Sequence, residues 1–365
     1  MARSGSMRIG VVGLGVISKV YLDTLRDLAG TRVTAVADLV PERAEAVAAE
    51  HPGVRVASVA EMYSAPDVDL VLNLTIPSAH ATVARSAIEA GKHVYGEKPL
   101  AITTAEAREI LALADRAGVQ VGCAPDTVLG TGVQTARATL DSGEIGAPFA
   151  ATAFMTTPGH ERWHPDPEFY YRHGGGPLMD MGPYYLSALV TLLGPVRRVV
   201  GMASTPVATR TIGSGPRAGT VFPVEVATHV TGVLEHNTGA LSTMMMSFGV
   251  WAGQLPRIEI YGTEGALSVP DPNGFEGTVS VFHPSAPQWT VVQPSAGYLN
   301  ANRGYGVADM VSAIEHATPL RASGELAYHV LDIMESLLAA SESGKSMDVL
   351  SVCDRPAPVP LGGQV

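Results

Sequence analysis

Two glycines one residue apart, Gly13 and Gly15, close the apolar run of residues 9–12 near the N-terminus. The residues that follow them, from Ile17 to Leu28, carry a helical pattern. A buried strand that turns this tightly into a helix is the first half of a β-α-β unit. The rest of the first third repeats the alternation. Strand candidates lie at residues 8–13, 32–38, 69–74, 92–96 and 119–123. Helical candidates lie between them at residues 17–28, 41–51, 77–90 and 104–117. Pro41 and Pro77 suit the first turn of a helix, where a missing N–H costs nothing. Continuous apolar strands separated by helices imply a parallel sheet covered on both faces.

The pattern changes after residue 125. Residues 129–142 and 178–193 read as helices, the first closed by Gly143 and the second by Gly194-Pro195. From Val196 to about residue 292 the chain reads as strands with turns, clearest at 228–234, 240–248, 257–261 and 266–269. Helices are expected again at 306–316 and 325–343, and an irregular, proline-rich tail at 354–365. A chain of 365 residues exceeds one small core and suits two domains. The expected class is α/β. A Rossmann dinucleotide-binding domain at residues 1–125 precedes an α+β domain at 126–365. The second domain is expected to rest on a large, mostly antiparallel open sheet that serves substrate binding and oligomerisation.

A formal charge of −11 argues against nonspecific nucleic-acid or anionic-membrane binding. No apolar run reaches transmembrane length. Residues 1–6 hold no apolar signal region, so a cytoplasmic protein is expected. The two cysteines, Cys123 and Cys353, form no ligand spacing, and no metal site is expected.

In the β-α-β reading Gly13 makes the tight turn and Gly15 lets the backbone approach a pyrophosphate. Val16, Ile17 and Ser18 then present the helix N-terminus to the phosphates. Asp38 ends the second strand. A carboxylate there accepts the ribose hydroxyls of NAD and repels a 2′-phosphate, so NAD is expected ahead of NADP. Asp38 has an alternative role as a cap for the next helix.

A second motif, Gly96-Glu97-Lys98-Pro99, follows a short strand and sets one ammonium beside a carboxylate. Two further stretches, Thr75-Ile76-Pro77-Ser78-Ala79-His80 and Gly174-Gly175-Gly176-Pro177-Leu178-Met179-Asp180-Met181-Gly182-Pro183-Tyr184, lie on either side of it. Tyr261-Gly262-Thr263-Glu264-Gly265 comes later. With these motifs nearly the whole chain resembles the Gfo/Idh/MocA family of NAD(P)-dependent oxidoreductases, such as glucose–fructose oxidoreductase and inositol dehydrogenases. The resemblance implies that Lys98 contacts the substrate oxygen and that Thr75, Pro77, His80 and Glu97 lie near the cofactor. His80 has an equal claim to a purely structural bond.

Many relatives read Asp-x-Gly-x-His-x-x-Asp where this chain has Asp180, Gly182, Tyr184 and Ser187. The resemblance to tyrosine-bearing members implies that Lys98 and Tyr184 manage the proton, either with Tyr184 exchanging it while Lys98 polarises the oxygen or with Lys98 as the transferring group. A phenol beside an ammonium group titrates lower, because the cation favours phenolate. Packing in the core with a bonded hydroxyl is the alternative for Tyr184. Asp180 precedes Tyr184 by four residues, on one helical face, where it binds a sugar hydroxyl, orients Lys98 or serves the helix dipole. Between residues 159 and 171 lies an aromatic, polar loop with His160, Glu161, Trp163, His164 and Tyr171. His160, Trp163, His164 and Tyr171 are candidate ring-binding groups; a packed or interface loop is the bland alternative.

These features together predict an NAD-dependent oxidoreductase of a sugar, sugar derivative, cyclitol or related polyol, assembled as a homo-oligomer, a dimer or a tetramer. A redox-assisted glycosidase and a non-catalytic NAD-sensing regulator are the competing expectations. The regulator would need neither Lys98 nor Tyr184.

Overall fold

The computed structural model describes residues 6–363. Most of the N-terminal stretch 1–6 and the last two residues of the expected irregular tail lie outside the described residues. The chain packs as two compact units. The first runs to Gly130 and takes up Tyr298–Tyr328 again; the second holds Thr131–Gly297 and His329–Leu361.

The first unit is built on six parallel strands: β1 (Met7–Val12), β2 (Thr31–Ala37), β3 (Arg55–Val56), β4 (Leu70–Asn73), β5 (His93–Gly96) and β6 (Val121–Cys123). Five helices connect them: α1 (Ser18–Asp27), α2 (Pro41–Glu50), α3 (Val59–Ser64), α4 (Pro77–Glu89) and α5 (Thr104–Ala117). The sheet order is β3-β2-β1-β4-β5-β6, which reverses direction between β1 and β4. Central side chains such as Ile9, Val11, Leu70 and Leu72 are completely buried. Each such side chain stabilises the fold by roughly 1.5–3 kcal/mol. Helix α5 starts and stops where its caps dictate. Thr103 and Glu106 form a reciprocal capping box, and Gly118 ends the helix in the left-handed region. The short pair β3 and α3 was not expected, although Ser58 and Glu61 form a second capping box at the start of α3.

The second unit begins with α6 (Thr131–Asp141), β7 (Pro148–Thr156), α7 (Gly176–Leu193) and β8 (Val196–Ser204). Strands β9 (Thr209–Thr211), β10 (Val221–Pro223), β11 (His229–His236), β12 (Leu241–Ser247), β13 (Ile258–Gly262), β14 (Ala266–Val269), β15 (Val279–His283) and β16 (Ala286–Val292) follow. Helices α8 (Tyr305–His316) and α9 (Gly324–Ser343) and strand β17 (Met347–Asp348) complete the elements. Helix α8 packs with the first unit. The large sheet has nine strands in the order β16-β15-β14-β13-β7-β12-β11-β8-β17. Its β7–β12 pair is parallel and its other pairs are antiparallel.

Two local expectations need correction. The helix expected at 129–142 is divided: a 3-10 turn, Asp126–Leu129, precedes Gly130, and α6 starts after it. Strand β7 was not anticipated, because its alternation runs through alanines and threonines that give little contrast between the faces.

One face of the large sheet meets helix α9 at glycines. A Cβ on Gly201 would lie 2.9 Å from the Leu337 carbonyl oxygen, and one on Gly232 would lie 2.6 Å from the Leu337 side chain. The opposite face leaves Val200, Met202, Val233 and Leu241 exposed.

Candidate active site

In a parallel sheet of this order, ligands bind outside the carboxyl ends of the strands, where the order reverses. The turn after β1 is fitted to that role. Gly13 adopts φ +93°, and a Cβ on it would lie 2.7 Å from the Leu74 carbonyl. Gly15 differs, since a Cβ there would meet nothing within 4 Å. Glycine at position 15 is therefore not demanded by the protein's own packing. Ser18 is buried and donates its hydroxyl to the Gly15 carbonyl at 2.7 Å, so it braces the turn. Helix α1 has neither a side-chain cap nor an acid in its first turn, so its first N–H groups meet no capping side chain.

Asp38 follows β2 with both carboxylate oxygens engaged. Oδ2 accepts the Leu14 N–H at 2.7 Å and Oδ1 the Val40 N–H at 2.8 Å. Both alternatives for this residue meet here: it ties the glycine turn to the end of β2, and it organises the entry to α2. Arg43 lies 3.8 Å from Oδ1. Val16, Leu39 and Ile76, at the ends of β1, β2 and β4, are exposed apolar side chains. Leu39 lies just past the strand-ending Asp38, and Ile76 within the Thr75–His80 motif.

The Lys98 turn is fixed by four neighbours. Asn73 accepts the Glu97 N–H through its carbonyl at 2.9 Å. Its side-chain oxygen also accepts the Thr75 hydroxyl at 2.6 Å, and its amide donates to the His80 carbonyl at 3.1 Å. Glu97 accepts the Lys98 N–H at 3.1 Å and the Tyr21 hydroxyl at 2.8 Å. Burial pushes the Tyr21 phenol well above its ordinary range, so Tyr21 is a donor here. The His80 ring is buried, with Nδ1 2.6 Å from the Pro99 carbonyl oxygen and Nε2 3.0 Å from that of Thr75. Burial lowers its pKa below the usual imidazole value. His80 is thus a strut between the turns after β4 and β5, and Pro77 starts the helix that delivers it. Asn73, a polar residue ending an apolar strand, was legible but was not picked out.

Asp180 and Tyr184 belong to the second unit, on α7, where Tyr184 is buried. The unit brings His160 to Asp180, with Nε2 3.1 Å from Oδ2. Around the His160 ring stand Phe248, Tyr170 and Trp163, at centroid distances of 4.4, 4.7 and 5.3 Å. His164 stacks edge-on against Trp163 and Tyr170, and its Nδ1 accepts the Asp166 N–H at 3.0 Å. Tyr171 is completely buried and donates its hydroxyl to Glu161. Burial, with Glu161 beside it, pushes that phenol up. Arg210 closes this cluster on Glu161 at 3.0 Å and on the Phe248 carbonyl at 2.9 Å. Tyr171 and Glu161 therefore belong to the scaffold of the loop, whereas Trp163 is exposed at its rim. Glu161 spends its carboxylate on Arg210 and Tyr171, which takes it away from any metal-binding role beside His160 and His164.

Residues 7–124 match the family model described as oxidoreductase family, NAD-binding Rossmann fold. Residues 133–268 match the GFO/IDH/MocA C-terminal domain. The chain is 30% identical to a 1,5-anhydro-D-fructose reductase of Ensifer adhaerens, over 71% of this chain and 74% of that one. It is 26% identical to an inositol 2-dehydrogenase of Rhizobium meliloti, over 72% and 75% of the two chains. Among solved structures, an NAD binding oxidoreductase from Klebsiella pneumoniae superposes with a TM-score of 0.82 at 24% identity, covering 95% of this chain and 100% of that one.

Proposed function

The chain belongs to the GFO/IDH/MocA oxidoreductase family, and on that premise we propose that it transfers a hydride between NAD and a sugar, sugar derivative, cyclitol or related polyol. The observation that carries this reading is the common placement of Gly15, Asp38 and Lys98 just past the carboxyl ends of β1, β2 and β5 in one parallel sheet. The names of the relatives, a reductase of an anhydro-sugar and a dehydrogenase of inositol, support the substrate class.

Bound NAD supplies the hydride acceptor or donor. The open space at Gly15 and the uncapped start of α1 receive its pyrophosphate, and Asp38 receives its adenine-side ribose. Lys98 polarises the substrate oxygen, so that charge developing on it is met by a fixed ammonium group. Tyr184 exchanges the hydroxyl proton. Asp180, with His160, Trp163 and His164, orients the ring. Tyr171 acts at one remove, holding that loop through Glu161. The protein works as a cytoplasmic homo-oligomer joined through the exposed face of its large sheet.

The test is a panel of myo-inositol, D-glucose, sugar acids and 1,5-anhydro-D-fructose, scored by NADH absorbance in the matching direction. Turnover of at least one member is expected. Cleavage of a nitrophenyl glycoside by protein-bound NAD, with no net NADH change, would overturn the reading in favour of a glycoside-cleaving enzyme.

A further inference from the structure

The loop that carries His160 is held firmly by groups other than His160. The Glu161 carboxylate accepts from Arg210 and Tyr171, and the Glu161 carbonyl accepts the Gly213 N–H at 2.7 Å. Anchoring therefore does not account for the pairing of His160 with Asp180. Their side chains are 12% and 17% exposed, and three aromatic rings enclose the imidazole. A carboxylate beside an imidazole nitrogen orients the ring and stabilises the imidazolium formed when the ring takes a proton. This is the local chemistry of a proton acceptor.

The reaction proposed above creates a need for one. When an alcohol is oxidised, the C–H electron pair leaves as hydride and reduces the nicotinamide. The O–H bond breaks, its electron pair becomes the second carbonyl bond, and one proton must leave the site. Tyr184, which takes that proton first, is buried. Asp180 lies one helical turn before it on the same face of α7.

We infer that the His160–Asp180 pair is the proton outlet of this site. The proton released at the Tyr184 end of the site leaves through His160, with Asp180 stabilising the imidazolium, and passes to solvent. In the reducing direction the pair delivers it. The inference rests on the reading under Proposed function. The groups that face the His160 ring are Asp180 from α7, Phe248 beyond β12, and Trp163 and Tyr170 from its own loop, while the His164 N–H donates to the His160 carbonyl at 2.9 Å. The nearby charges of Glu161 and Arg210 offset each other in a 3.0 Å ion pair.

The experiment compares wild type with His160→Gln, His160→Ala and Asp180→Asn, using the panel member that wild type turns over fastest. His160→Gln is expected to lower kcat by about 10²-fold or more, the size of a proton-transfer contribution. It is also expected to remove the acid limb of the kcat–pH profile while NADH affinity stays within about two-fold. Added imidazole is expected to restore part of the rate to His160→Ala. A retained rate, or a fall in rate with an unaltered pH profile and no imidazole rescue, overturns the outlet while leaving the hydride reaction standing. In parallel, the His160 ring nitrogens are followed by NMR in the NAD-loaded protein. Asp180→Asn is expected to move their resonances, because the ring loses its carboxylate partner. Unmoved resonances overturn the pair. If wild type oxidises or reduces no panel member, the proposed function fails, and the NMR comparison still decides whether the two side chains are paired.

Discussion

Gly13 and Leu74 meet backbone to backbone where the sheet order reverses: a Cβ on Gly13 would lie 2.7 Å from the Leu74 carbonyl. With φ at +93°, Gly13 is held by both conformation and space. Gly15, two residues on, is held by neither kind of crowding. Gly13→Ala is therefore expected to destabilise the protein by about 1–3 kcal/mol, through strain and overpacking. Gly15→Ala is expected to leave Tm within a degree of wild type yet weaken NADH binding by about ten-fold or more, because the methyl group enters the space proposed for the pyrophosphate. Thermal melts and NADH fluorescence titrations check both. Wild-type NADH affinity in Gly15→Ala would remove Gly15 from the cofactor site.

Asp38 sets a second expectation, which concerns the choice of cofactor. Its carboxylate accepts from Leu14 and Val40, so the charge is fixed in position. A 2′-phosphate brought to this point meets a like charge. NADH is expected to bind more tightly than NADPH. Asp38→Ser, which keeps an acceptor but removes the charge, is expected to narrow the ratio by about ten-fold. Parallel titrations of the two cofactors measure it, and tighter NADPH binding by wild type would sink the assignment.

The first unit was legible because its signals are local. Residues 9–12 and 70–72 are unbroken apolar runs, and Thr103, Glu106 and Gly118 mark both ends of α5 within the sequence. The turn after β1 and the end of β2 were legible for the same reason, since Gly13, Gly15 and Asp38 lie within a few residues of the strands they follow. Other features depend on partners far away in the chain. Nothing near His160 announces Asp180, 20 residues on, and nothing near Glu161 announces Arg210, 49 residues on. Tyr171 looked like a ring-binding aromatic because its type suits that role; its burial is decided by Phe222, Phe248 and Arg210 around it. Strand β7 was hidden by its composition, for alanine and threonine at alternating positions carry little hydrophobic contrast.

His329 provides a pH expectation. It is fully buried, its Nε2 accepts the Val196 N–H at 3.0 Å, and its Nδ1 pairs with the Ser351 hydroxyl at 2.8 Å. Burial pushes its pKa down to about 4, from an ordinary value near 6.5. Between those two values the unfolded chain binds the proton and the folded chain does not. Stability is therefore complete above about pH 6.5 and falls as the pH drops towards 4, by at most about 3 kcal/mol from this residue. Urea unfolding at several pH values measures the slope. His329→Gln is expected to be less stable at pH 7 and to show a shallower acid limb.

The free face of the large sheet sets an expectation for assembly. Val200 pairs in register with Val233, and Met202, beside them, is 73% exposed. An apolar face of this kind on an open sheet calls for a partner surface. Light scattering at micromolar concentration is expected to show a dimer or tetramer, and the double variant Met202→Glu/Val233→Glu a smaller species with its fold intact by circular dichroism. A monomeric wild type contradicts the oligomer outright.

The comparison of Lys98 with Tyr184 bears most directly on the chemistry. Lys98 sits in a turn whose backbone is fixed by Asn73, Glu97 and, through Pro99, His80. A fixed ammonium group at a developing alkoxide is worth roughly 3–4 kcal/mol at comparable sites. Lys98→Met is therefore expected to abolish measurable turnover while leaving NADH affinity nearly intact. Tyr184→Phe removes the proposed proton-transfer group, a role typically worth about 10²–10⁴-fold, and keeps the ring that fills its place in α7. Water replaces a lost phenol in part, but no water replaces an ammonium charge, so the lysine variant is expected to be the worse of the two. Steady-state kinetics across the pH range, with NADH titrations as the control, decide the order. Full activity in Tyr184→Phe at every pH would pass the proton to Lys98 or His160. Full activity in Lys98→Met would show that the whole assignment of the site is wrong.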